Sequence, residues 1–259
     1  MFSLTEGEIV QMVGQYVWPL ARISGLFMAM PIVGTRLVSA RIRILLALFV
    51  TLLVAPLLPN LPIIDPISMS SLVIVTQQTI IGLAIGLQLQ VVFHIFVLAG
   101  QFMAMKMGLG FASMNDPANG VTVTVVSQFY VILTTLLFLS FNGHLVIFSA
   151  IIDSFTTIPI SASGLGYEAF WQIAQSGGWM FSRALLIAMP VLTSLLVVNL
   201  AFGVMSRSAP QMNVFAVGFP ITLVFGMLLI WYSMGSFLPN YRIFMEEGFM
   251  MMNSLLKLP

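Results

Sequence analysis

Cysteine is absent from the chain, which removes disulfides, thiolate nucleophiles and cysteine-based metal sites. Charge is scarce. Nine Lys and Arg with eight Asp and Glu amount to 7% of 259 residues, against about 25% in water-soluble domains, whose surfaces must be solvated. So few ionic groups cannot cover a soluble globule of this size, and lipid or other hydrophobic subunits must supply much of the surroundings. Basic runs are missing too, and a formal net charge of +1 leaves no electrostatic footprint for nucleic acid. Histidine occurs twice, at His94 and His144. They are far apart, in no helical pair and beside no carboxylate, so a metal would need further ligands from elsewhere; a polar group satisfied at a helix interface is the simpler role. No G-x-S-x-G elbow, phosphate loop or dinucleotide fingerprint occurs. The chain carries no inventory for an enzyme, and no cofactor is expected.

What is present is apolar, at 59% of residues. A spanning helix needs roughly 20 mostly apolar residues. Candidate runs are Val10 to Val33; Ile44 to Leu58, short and closed by Pro56, Pro59, Pro62 and Pro66; Ile67 to about Met105; Val121 to Ile152, interrupted by Phe141-Asn142-Gly143-His144; Trp179 to Met205; and Val214 to Met234. The third is too long for one perpendicular span and carries Gln88, Gln90 and His94, which predicts a long or kinked helix. Ser154 to Gly178 is a more polar connector with one short amphipathic helix around Tyr167 to Ala174, and Asn240 to Pro259 is an amphipathic tail. The fold class expected is all-α: a polytopic protein of about six long hydrophobic helices, with no soluble domain left over. The first nine residues hold Glu6 and Glu8 and no base, unlike a signal peptide, so the first run is expected to act as an uncleaved anchor.

Charge placement bears on orientation. Arg36, Arg41 and Arg43 lie between the first two runs, Lys106 follows the third, and Arg207 separates the fifth from the sixth. The alternate segments hold mainly acids. By the positive-inside rule the arginine-bearing loops face the cytoplasm. Arg22 and Arg183 interrupt apolar runs, where an ionisable group costs roughly 2.5–3.5 kcal/mol on insertion scales and is by default a functional hypothesis. Against that, Arg22 can face other subunits and find a carbonyl or carboxylate there, and Arg183, near its run's start, can snorkel. Glu246 and Glu247 are adjacent and point about 100° apart on a helix, as on a solvated face.

The most informative segment is GLGFASMNDPANG, residues 108 to 120. Its glycines and Asn-Asp-Pro predict a loop. Backbone that leaves helix at membrane depth is tolerated only where protein buries it or a watery cavity accepts its polar groups. A glycine-hinged loop carrying Phe111 and Met114 can therefore fill a pore and exclude water, as hydrophobic constrictions do. An ordinary surface turn uses the same residue types.

Several stretches together resemble one family. They are RISGLFMAMPIVGTRLVSARIRILLALFVTLLVAP (22–56), IGLAIGLQLQVVF (81–93), AGQFMAMKMGLGFASMNDPANG (99–120), SQFY with FLSFNGH (127–144) and APQMNVFAVGFPITLVFG (209–226). In order and spacing they are similar to the FliR export-gate family of flagellar type III secretion, related to the T component of virulence injectisomes. The resemblance implies a subunit that assembles with P and Q components into a helical, funnel-shaped gate for unfolded flagellar subunits, with the export switch protein FlhB and the export protein FlhA as neighbours. It implies a place in the bacterial inner membrane at the flagellar basal body, extending toward the periplasmic side. The six runs would then be helical hairpins packed on neighbouring subunits, with about 1–175 P-like and 176–259 Q-like, and the charge-based orientation would lose its footing. The family's plug pattern falls on Gly108, Gly110, Phe111, Met114, Asn115, Asp116 and Pro117. Position 114 holds Met where relatives often place an aromatic, which implies a softer seal. Arg36, Arg41 and Arg43 match the family's basic region after the first helix and, with Arg22, are candidate structural or partner-contact charges. Two other readings stand beside this one. A small-solute secondary transporter would show inverted repeats and midplane acids or paired charges, and no acid lies inside an apolar run here. A structural scaffold would leave gating to its partners.

Overall fold

The computed structural model describes the backbone of residues 6–58, 68–111, 113–115, 122–208 and 214–257, and the side chains of 14–58, 68–110, 123–208 and 218–257. The expected all-α membrane class is what it adopts. Eight helices are described: α1 (Glu6–Ala29), α2 (Ala40–Val54), α3 (Met69–Lys106), α4 (Val125–Ser140), α5 (Gly143–Thr157), α6 (Tyr167–Ser208), α7 (Val214–Ser233) and α8 (Phe237–Leu255). One antiparallel pair, β1 (Ser113–Asn115) with β2 (Thr122–Thr124), interrupts them.

Four helical stretches are long and apolar enough to cross a membrane: Ala40–Leu57, Met69–Lys106, Tyr167–Ser208 and Gly218–Leu255. A fifth follows if α4 and α5, bent by 68°, are taken as one span. The count therefore differs from the six runs read off the sequence. The first run forms α1, but Gln15, Pro19 and Arg22 dilute its apolar character, and it is not among the four. The tail, by contrast, joins α7 in one long apolar stretch.

Two expected breaks resolve differently. The Ser154 to Gly178 connector shrinks, because α6 starts at Tyr167 and runs unbroken for 42 residues. Gly177 and Gly178 sit inside it, each at the roughly 1 kcal/mol propensity penalty of a helical glycine. The interruption at 141–144 does occur. Asn142 takes the left-handed conformation, φ +56°, between α4 and α5, a region that Asn enters more readily than most residues.

The chain forms two compact units. One comprises residues 1–91, 138–176 and 248–259; the other comprises 92–137 and 177–247. In the first unit α1 crosses α3 with backbones in touch. A Cβ on Gly82 would overlap the Arg22 carbonyl oxygen, and one on Gly86 would lie 2.8 Å from the Leu26 oxygen and 3.0 Å from the Met30 nitrogen. Gly82 and Gly86 make a G-x-x-x-G stripe, the spacing that puts two small residues on one helix face for close apolar packing. Trp18, Ile23, Leu26 and Phe27 of α1 are fully buried, and Phe27 meets Phe148 edge-on with centroids 6.2 Å apart. In the second unit Phe96 lies among Phe237, Tyr241 and Phe244, at centroid distances of 5.3, 6.1 and 6.3 Å.

Candidate functional site

The 108–124 segment grows out of two helix ends. α3 finishes in a turn, with Met107 N–H donating to the Met103 carbonyl at 3.0 Å and Gly108 N–H to that of Met105 at 3.2 Å. Gly108 then turns left-handed, φ +81°, the conformation that ends many helices and that side chains with a Cβ resist. A Cβ there would also meet the Phe219 ring at 2.9 Å. Met107 is fully buried against α7, where a Cβ on Gly226 would lie 2.5 Å from its Cγ. A 3-10 turn, Leu109–Phe111, leads into β1.

The expected loop is thus partly a hairpin. Ser113 pairs with Thr124, Met114 with Val123 and Asn115 with Thr122. The alternating Val-Thr-Val-Thr at 121–124 belongs to the fourth apolar run by hydropathy alone. Its β-branched residues favour the extended backbone instead, and α4 begins only at Val125.

The returning arm is pinned. The Ser127 N–H donates to Thr124 Oγ1 at 3.2 Å, so Thr124 caps α4. The Ser127 hydroxyl donates to the Val97 carbonyl of α3 at 2.8 Å. Gly100 makes room for this contact, since a Cβ on it would lie 2.6 Å from the Ser127 Cα. Tyr130 sits deeper, buried, its hydroxyl 3.9 Å from the Met103 sulfur. Sequence reasoning missed the Thr124–Ser127–Val97 staple; the signals for it were a capping-type Thr three residues before Ser and a glycine in mid-helix.

Of the residues singled out in the segment, Gly108 and Gly110 fall where both backbone and side-chain surroundings are described. Gly110 is open: a Cβ added to it would have only Met105 Cγ nearby, at 4.0 Å. Phe111, Met114 and Asn115 are placed by backbone alone, in the 3-10 turn and in β1. Asp116 and Pro117 lie outside the described residues.

The arginines divide sharply. Arg22 is fully buried, yet its partners belong to its own chain. Nε donates to Gln78 Oε1 at 2.8 Å, Nη1 to the Ser154 carbonyl at 2.7 Å and to Ser154 Oγ at 3.0 Å, and Nη2 to the Ile158 carbonyl at 2.8 Å. Its guanidinium lies 4.3 Å from the Phe155 ring centroid. The cation therefore ties α1 and α3 to the C-terminal end of α5, where the macrodipole favours positive charge; the Ser154 carbonyl it meets also accepts the Ile158 N–H at 2.9 Å. The carbonyl partners weighed for it on other subunits are thus found within the chain. Arg183 lies well inside α6, too far from its start to snorkel there. It pairs with Glu247 at 2.9 Å, and Glu247 also accepts from Trp179 Nε1 at 2.9 Å. Glu246 is exposed, as a solvated face requires; Glu247 is not so placed. Arg43 is half-buried and donates to the Thr35 and Val38 carbonyls at 2.9 and 3.2 Å, whereas Arg36 and Arg41 are exposed. Among the described residues no cluster of three or more His, Asp or Glu can hold a metal.

The chain matches the family described as Bacterial export proteins, family 1, over residues 13–248. A flagellar biosynthetic protein FliR of Pectobacterium carotovorum subsp. carotovorum is 40% identical over 96% of this chain and 94% of its own length. The chain belongs to the FliR family. The FliR protein of Escherichia coli (strain K12) is 36% identical over the same shares, and that of Bacillus subtilis (strain 168) 29% identical over 86% of this chain and 87% of its own. Membership in the FliR family covers both arms of the 108–124 segment and the Arg22 cluster alike, since all lie within the matched range.

Proposed function

We propose that this membrane-embedded component of the flagellar export apparatus is a core subunit of the type III secretion export gate. With P and Q components it forms the channel for unfolded flagellar proteins, and the 108–120 segment is the plug. One observation carries this reading: in an otherwise helical, apolar chain, a glycine-turned hairpin is mounted on the adjoining ends of α3 and α4 and stapled at its base through Ser127. Non-helical backbone among membrane-length helices needs a watery or protein-lined place. In the closed state Phe111 and its neighbours block ions and water. On opening, the segment swings about Gly108, whose left-handed turn is already made, to admit an extended chain. The parts about 1–175 and 176–259 correspond to P-like and Q-like halves, FlhB and FlhA lie alongside, and the assembly sits in the inner membrane at the basal body. Energy comes from outside this chain.

Deleting residues 110–116 should leave an assembled but ion-leaky gate, measured as conductance of the reconstituted complex; wild-type conductance would end the plug assignment. A small-solute transporter is the runner-up. It would need a midplane charge pair, and an ion pair does join Arg183 to Glu247. Trp179 and the Phe244 ring, 5.6 Å from the guanidinium, hold that pair as a helix staple. Cross-linking decides between the two: an arrested export substrate should reach position 111 or 114, and a transporter would offer no such path.

A further inference from the structure

We infer that the turn between α1 and α2, together with the outward stripe of α2, is a docking surface for an anionic phospholipid, its headgroup held by Arg36 and Arg41. The turn is built rather than slack. Met30 N–H donates to the Leu26 carbonyl at 2.8 Å, Gly34 N–H to that of Met30 at 2.8 Å, and Thr35 Oγ1 to that of Ile32 at 2.8 Å. Arg43 gathers the Thr35 and Val38 carbonyls, and Ser39 caps α2 by accepting from Ile42 N–H. With Arg43 committed to the backbone, Arg36 and Arg41 are left pointing outward and exposed. No Asp or Glu occurs between residues 9 and 64, so the segment's own stretch of chain offers them no counter-charge. Two cations beside the positive end of a helix are mutually unfavourable without an anion.

The apolar stripe selects the kind of anion. Arg41, Leu45, Leu48 and Leu52 recur at helical spacing on one face, and all are exposed, Leu45 by 64%. Ala47, Thr51 and Val54 form the buried face. From Arg41 to Leu52 the stripe rises about 17 Å at 1.5 Å per residue, comparable with one leaflet of a hydrocarbon core about 30 Å thick. A guanidinium at the end of a leaflet-deep row of leucines matches a phosphate above acyl chains. A soluble acidic partner would have no use for the leucines.

The test is native mass spectrometry of the full-length chain in mild detergent, titrated with phosphatidylglycerol and with phosphatidylcholine. Wild-type protein should retain phosphatidylglycerol preferentially, and the preference should fall with salt. Each arginine near an anionic surface contributes about fivefold, so Arg36→Gln with Arg41→Gln together should weaken retention about thirtyfold. Arg36→Lys with Arg41→Lys should restore most of it, which a merely misfolded turn would not permit. Equal retention of the two lipids by wild type overturns the inference. So does a preference that survives the glutamine pair, or one lost equally with lysine. Loss of assembly with other export subunits in the glutamine pair, at unchanged lipid preference, would make the patch a protein contact instead. Gate conductance plays no part in these readings, so the plug and the lipid surface fail separately.

Discussion

α3 and α6 are nearly alike on paper. They run 38 and 42 residues with mean hydropathies of 2.1 and 2.3 over their most apolar stretches. Yet 61% of that stretch of α3 is buried within the protein, against 17% for α6. Their glycines tell why. Gly82, Gly86 and Gly100 of α3 each face the backbone of another helix, whereas a Cβ on Gly177, Gly178 or Gly203 of α6 would meet nothing within 4 Å. Polar side chains follow the same division, with Gln78 and Gln88 of α3 fully buried. Hydropathy reports that water is excluded; small residues and buried amides report that the chain itself does the excluding. α6 leaves Leu186, Leu196, Val197 and Leu200 exposed, an apolar surface for lipid or neighbouring subunits to cover.

Substitutions can break this contrast. The largest effect should come from Arg22→Met, which strands the Ile158 carbonyl and Gln78 Oε1 and leaves the Ser154 carbonyl to its backbone donor, the Ile158 N–H. Unmet buried groups cost about 1–3 kcal/mol each, partly offset by the new apolar side chain, for a net loss of about 3 kcal/mol in thermal unfolding of the detergent-solubilised chain. Gly82→Ala should follow at about 2 kcal/mol, because α1 and α3 must part to admit one methyl group. Glu247→Gln removes a half-exposed ion pair of α6 and should cost less than about 1 kcal/mol. Gly203→Ala should be smallest and opposite in sign, stabilising the isolated chain by about 0.5 kcal/mol through helix propensity. If Gly203→Ala damaged the isolated chain as much as Gly82→Ala, the contrast between the two helices would be lost.

Much of the architecture was legible because periodicity and turn residues are local signals. The long third helix was expected from about Ile67 to Met105 and runs Met69–Lys106, the break at Asn142 was visible as Phe-Asn-Gly-His, and the last apolar run matches α7. Other features depend on residues far apart in the chain. Arg22 finds carbonyls 132 and 136 positions away, and Arg183 finds Glu247 64 positions away. No window of sequence contains both partners. Ser176-Gly177-Gly178 misled for the opposite reason: its local composition suggests a break, and the helix passes through it. The G-x-x-x-G stripe at 82–86 was readable in principle but hidden inside a long apolar run. At the candidate site, the glycines marked where α3 would stop, while the hairpin register needed the β-branched arm at 122–124 to be separated from α4.

The Ser127 hydroxyl bond to Val97, with Gly100 beneath it, fixes the frame on which the 108–124 hairpin hangs. A flap mounted on a rigid frame can change position without disturbing the wall that carries it. On the proposed gate reading, alterations within the hairpin should register as changes in traffic, while alterations to the frame should register as lost protein, and the two kinds of phenotype should separate cleanly along the chain.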